Sequence, residues 1–137
     1  SLSGIEIPRY GGACPRWNIY TAFTMPGKIN AAVSKMPNGE KYVCIARTVE
    51  KGIGRFGQAK SILSIGLGCD AKYAKDFIYT ENININDKST EIPIGVSCRT
   101  CDRLDCSQRA FPPLHKKFDI DINTRGVSVY VTDKNPQ

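Results

Sequence analysis

The stretch "YVCIARTVEKGIGRFGQAKSILSIGLGC", residues 42–69, decides the fold. Its first part, YVCIARTV (42–49), is built of β-branched, aromatic and small apolar residues that fit a pleated, half-buried surface, so it reads as a strand. Residues 51–60 carry Gly52, Gly54 and Gly57 and read as a loop. SILSIGLGC (61–69) reads as a second strand, whose glycines permit close backbone approach. Upstream, Ile29, Ala32, Val33 and Met36 recur at helical spacing in PGKINAAVSKM (26–36), with Pro26 in the first turn and Pro37-Asn38-Gly39 as a stop. Downstream, Asp70 caps a helix whose apolar face is Ala71, Ala74 and Phe77 or Ile78. Residues 80–91, TENININDKSTE, are polar and read as a loop. Phe118, Ile120 and Ile122, then Val127, Val129 and Val131, alternate about a turn at 123–126, which predicts a hairpin. This order predicts an α+β fold: an antiparallel sheet flanked by helices, the architecture shared by GAF- and PAS-type sensor domains. Fold alone warrants no function.

The 137 residues make one domain, 1–137, long enough to bury a core without staples. With 41% hydrophobic and 23% charged residues the chain reads as soluble and globular. No apolar run approaches the roughly 20 residues of a membrane helix. The opening SLSGIEIP lacks the basic and apolar segments of a signal peptide, so a cytoplasmic location is expected. It also lacks an initiator methionine, so the chain is expected to be a domain of a longer protein. A net charge of +6 suits an anionic partner or serves solubility.

Six cysteines stand out. Without a secretory context a disulfide framework is not expected. Cys44, mid-strand, reads as a small buried hydrophobe. Cys98, Cys101 and Cys106 lie within nine positions of "GVSCRTCDRLDCSQRAFPP" (95–113). Two thiolates with two residues between them turn toward one ion, and a third, five positions on, reaches the same centre from a tight loop. This cysteine-rich loop is therefore a candidate metal site. Thiolate donors suit zinc and an iron–sulfur cluster alike, and the spacing matches neither a zinc knuckle nor a ferredoxin run. Arg99, Arg103 and Arg109 would balance a net-negative thiolate centre. The alternative is three free cysteines in a loop.

The motifs "GACPRWN", "ARTVEKG", "IGLGCD" and "IPIGVSCRTCDRLDCSQRAFPP", in this order, resemble the C-terminal domain of bacterial short-chain fatty acyl transcriptional regulators. The resemblance spans about residues 9–114. It implies a sensor that follows a helix-turn-helix domain in a longer regulator. It also implies an acyl-CoA or CoA effector and, in some members, an iron–sulfur cluster. Cys98, Cys101 and Cys106 match the family's cluster run, and Cys69 and Cys14 match its two other cysteine motifs. Either supplies a fourth ligand; Cys69 is preferred here, because a thiolate beside a helix N-terminus is favoured by the dipole.

For CoA, candidate phosphate-binding residues are Arg16, Arg47, Arg55 and Lys60, with the GIGRFG loop (52–57) as a backbone cradle. That loop is not a dinucleotide fingerprint, because a strand rather than a helix follows it. Trp17, with Tyr20, Phe23 and Tyr79, lines the acyl pocket or stacks on adenine, or belongs to the core.

Three classes of function follow. The first is a non-enzymatic effector-sensing domain that binds an acyl-CoA and a cysteine-coordinated metal centre. DNA would be contacted only through the separate N-terminal domain, and a homodimer is a further expectation. The second is a zinc-stabilised nucleic-acid-binding module, suggested by charge and cysteines but lacking an aromatic–basic motif. The third is a cysteine enzyme, which would have to use the sole histidine, His115, as base.

Overall fold

The computed structural model describes residues 8, 12–52, 56–57, 60–81 and 83–115. The hairpin expected at 118–131 and the candidate residue Arg55 lie outside them.

The described residues form a four-stranded sheet with a few short helices. The strands are β1 (Asn30–Lys35), β2 (Lys41–Lys51), β3 (Ser61–Asp70) and β4 (Glu91–Pro93), in spatial order β3-β2-β1-β4. The α+β class therefore holds. The two strands read at 42–49 and 61–69 are present, each slightly longer. β1–β2 and β2–β3 are antiparallel, with Ala32 opposite Cys44 and Cys44 opposite Gly68. One expectation is corrected at the far edge: β4 pairs with β1 in parallel, so the sheet is mixed.

A second correction concerns residues 26–36, which form a turn and β1 rather than a helix. Gly27 sits at φ 77°, in the left-handed region, which breaks a helix at its first turn. Its N–H donates to the Thr48 hydroxyl (2.8 Å), pinning the turn to β2. Sheet pairing then buries Ala32, Val33 and Ser34, so tertiary partners override helical spacing.

The helix after Asp70 is two 3₁₀ pieces, Ala71–Asp76 and Ile78–Thr80. Asp70 caps as expected, its carboxylate accepting from the Lys72 N–H (3.0 Å). Phe77 breaks the turn with an extended backbone, and only Ala74 of the expected apolar face is fully buried. The Thr80 hydroxyl donates to the carbonyl of Ala74.

The sequence reading assigned no helix at 18–21, yet one turn, α1 (Asn18–Thr21), forms there and lies on the sheet. The Asn18 amide donates to the carbonyls of Asn30 (3.3 Å) and Cys44 (3.0 Å), and the Ser64 hydroxyl donates to that of Ile19 (2.6 Å). Gly66 permits this approach: a Cβ there would stand 2.6 Å from Ile19 Cγ2. Val33 and Val43, both fully buried, anchor the sheet's core.

Candidate functional site

Two concavities lie side by side where α1, the sheet and the segment after β4 meet. The first is a groove of about 270 Å³ lined by Trp17 and Ile19, by Tyr42 and Cys44 of β2, by Gly66 and Gly68 of β3, and by Met36 and Ile94. None of its lining residues is charged. The paired small residues follow from register, since Gly68 opposes Cys44 and Gly66 opposes Ala46, leaving space where side chains would otherwise fill the face. Burial pushes the Cys44 thiol up, against the pull of the Ser34 hydroxyl.

The second is a much smaller cavity, with room for about one water-sized particle, lined by Cys14, Cys98, Cys101, Cys106, Arg103, Arg109 and the turn Pro93-Ile94-Gly95. The sequence-predicted triad is thus gathered around one space, together with Cys14. Cys69 does not line it. It stands on β3 opposite Val43, its thiol raised by partial burial and by the carboxylates of Asp70 and Asp76. His115 is exposed and lines neither concavity.

The segment 96–114 has almost no regular structure, and side chains hold it instead. Arg109, 4% exposed, donates to the carbonyls of Cys98 (2.8 Å), Cys101 (3.1 Å) and Arg103. Arg103 donates to the carbonyls of Lys35 (3.1 Å) and Ile94 (3.4 Å), tying the segment to β1. The Nε of Arg103 is buried without a hydrogen-bond partner among the described residues. Arg99 lies apart, its guanidinium 4.7 Å from the Phe111 ring centre.

Cys14 is joined to the segment through its N–H, which donates to the Val96 carbonyl (3.1 Å). Burial pushes the Cys14 thiol up most. The backbone N–H groups of Arg16 and Gly95 oppose that, and Cys98 and Cys101 add to it. The Cys98 sulfur accepts from the Ala110 N–H (3.4 Å). The donor set, four thiols with a buried cationic N–H beside them, is one that suits a soft metal. Among the described residues, no three His, Cys, Asp or Glu side chains already stand at distances that would hold an ion.

Of the phosphate candidates, Arg16 precedes Trp17 and is half-buried. Arg47 is exposed on β2, and strand alternation turns it away from the face of Tyr42, Cys44 and Ala46. Lys60 pairs with Glu50 (3.4 Å) at the surface. Neither Arg47 nor Lys60 lines the groove. Trp17 does, and its indole N–H donates to the Gly95 carbonyl (3.0 Å). The sequence reading missed Cys44, Tyr42, Gly66 and Gly68 as lining residues. The signal was present in the paired glycines of β3, but which face they open depends on register.

The described residues thus place an apolar groove beside a thiol cavity in one α+β domain. The comparisons make this specific. Residues 1–130 match the family model described as short-chain fatty acyl coenzyme A regulator, C-terminal, and the chain belongs to that family. It is 41% identical over 133 residues, 96% of its length, to the HTH-type transcriptional regulator RamB of Mycobacterium tuberculosis (strain ATCC 25618 / H37Rv). It is 38% identical over 130 residues, 95% of its length, to the propionyl-CoA carboxylase regulator of Cereibacter sphaeroides. In each case it spans 28% of the relative's own length. A solved Mycobacterium tuberculosis transcriptional regulator superposes with a TM-score of 0.78 at 36% identity, covering 89% of this chain and 37% of that one. The chain is thus a regulatory C-terminal domain of a transcriptional-regulator family of short-chain fatty acid metabolism. Among the described residues no helix is long and apolar enough to cross a membrane.

Proposed function

We propose that this domain is a non-catalytic sensor. It takes CoA or a short acyl-CoA in the groove between α1 and the sheet, and Cys14, Cys98, Cys101 and Cys106 hold one metal centre, zinc or an iron–sulfur cluster. The observation that carries the reading is the uncharged groove of Trp17, Ile19, Met36, Tyr42 and Ile94, which suits an acyl and pantetheine arm. The diphosphate would lie outside it, toward Arg16. The orphaned Nε of Arg103 supports an anionic thiolate centre in the smaller cavity. A metal there would lock the 96–114 segment, and its binding would release the protons that burial keeps on thiols such as Cys14. GAF/PAS-like architecture belongs to the same proposal, since it rests on the sheet-and-helix order alone. So do DNA contact through a separate N-terminal helix-turn-helix domain and homodimerisation, which would match paired half-sites.

The test is a melt of purified protein with propionyl-CoA, CoA or propionate, alongside metal analysis. Binding adds stability as RT ln(1 + [L]/Kd), about 2.7 kcal/mol at a hundredfold excess over Kd. Trp17→Ala should abolish the shift, and Cys98→Ser with Cys101→Ser should remove the metal. A melting temperature unmoved by millimolar acyl-CoA sinks the effector reading. Sequence-specific promoter binding by this domain alone at physiological salt would favour the zinc-stabilised nucleic-acid module instead.

A further inference from the structure

The groove and the thiol cavity share a wall. Ile94 lines both, and Gly95, next in the chain, lines the thiol cavity while its carbonyl receives the Trp17 indole N–H from the groove side. Gly95 is packed tightly against a thiol: a Cβ on it would stand 3.1 Å from Cys101 Sγ. Trp17 is also tied to Cys14, whose carbonyl accepts the Trp17 backbone N–H (3.1 Å). Trp17 therefore hangs between two anchors, Cys14 and Gly95, and both belong to the thiol cavity.

The cysteines surround their cavity without standing at ligand distances. Closing them on an ion must draw cysteines inward, and two of the four, Cys14 and Cys101, touch the wall shared with the groove. Neither can move without its neighbour: Cys14 carries Trp17, and Cys101 bears on Gly95. Close-packed interiors transmit such shifts rather than absorb them.

We propose that the two sites are energetically coupled, with metal at the thiols setting the pose of Trp17 and Ile94 and so raising the groove's affinity for an acyl-CoA. The proposal rests on the two-site reading above and adds the link between the sites. Coupling is reciprocal, so the acyl-CoA must raise metal affinity by the same factor.

The chain has a single tryptophan, so its emission reports on Trp17 alone. Reduced, metal-free protein is titrated with zinc(II), and the propionyl-CoA Kd is measured by calorimetry with and without zinc. The expected results are a shift in Trp17 emission that saturates with zinc stoichiometry, and a Kd at least about fivefold lower in zinc. Within Trp17→Phe, which keeps an aromatic wall but loses the indole donor to Gly95, the ratio of the two Kd values should fall toward one. If zinc and propionyl-CoA both bind but the Kd is the same with and without zinc, the coupling is overturned while the two-site reading stands. If neither zinc nor iron loads at the cysteines by metal analysis, or calorimetry shows no propionyl-CoA bound, the two-site reading fails and the coupling falls with it.

Discussion

The β2–β3 ladder and the 96–114 segment are built in opposite ways. The ladder runs through ten residue pairs in unbroken register, from Tyr42 opposite Asp70 to Lys51 opposite Ser61, and satisfies its own backbone. In the segment, Arg109 donates to the carbonyls of Cys98, Cys101 and Arg103, and Arg103 reaches out to those of Lys35 and Ile94. In the ladder, stability is spread over many equivalent bonds. In the segment it is concentrated in two side chains, so a single substitution there removes several bonds at once. The candidate metal thiols sit on the concentrated part, and half of the groove sits on the distributed part.

The contrast is broken most severely at Arg109. Arg109→Ala strips three carbonyls of their donor, one bond buried and two part-buried, and a loss of about 3–5 kcal/mol is expected by denaturant unfolding, because the freed carbonyls are left largely out of water and unpaired. Arg109→Lys should recover little, since one ammonium cannot reproduce the fork. Hydrogen exchange should show the 96–114 amides losing protection well before those of β2. Simultaneous loss throughout would make the two regions one cooperative unit.

Val43→Ala tests the ladder. Val43 is completely buried, and deleting two methyl groups should cost about 2 kcal/mol, with exchange rising across all four strands. A loss confined to the 96–114 segment would reverse the assignment of which region carries the core.

The junction between α1 and the sheet is next. Gly66→Ala places a methyl 2.6 Å from Ile19 Cγ2 and should cost about 1–3 kcal/mol as α1 is pushed off the groove. Ile19→Ala in the same chain should restore much of the loss, and a double-mutant cycle measures the coupling. Strict additivity would mean that α1 is not seated on Gly66.

The smallest effect concerns the hinge from ladder to segment. Glu91 of β4 accepts from Lys41 and Lys35, and both hold its carboxyl below the usual range. A depressed folded pKa contributes stability that is present above the unfolded value of about 4.5 and is lost as pH falls through the lower folded one. Glu91→Gln should therefore lower stability near neutrality and flatten the acid limb below about pH 4.5, where the two proteins converge. An unchanged acid limb would place the titration elsewhere.

The sequence by itself determined what depends on neighbours along the chain. Residues 42–49 and 61–69 are strands because their residue types fit a pleated sheet, Asp70 caps because its carboxylate reaches an N–H two residues on, and Cys98, Cys101 and Cys106 converge because they are close in a loop. The family, too, was legible in the motifs. Only tertiary structure decided the rest. Ile29, Ala32, Val33 and Met36 of residues 26–36 have helical spacing, but pairing with β2 and the left-handed turn at Gly27 make 30–35 a strand. Cys14, not Cys69, joins the three thiols, because the Val96 carbonyl draws the residue-14 backbone across some eighty positions while β3 holds Cys69 opposite Val43. The groove likewise depends on Cys44 opposing Gly68 and Ala46 opposing Gly66. A one-residue slip would turn every one of these to the other face, and periodicity alone cannot specify which strand a strand will meet.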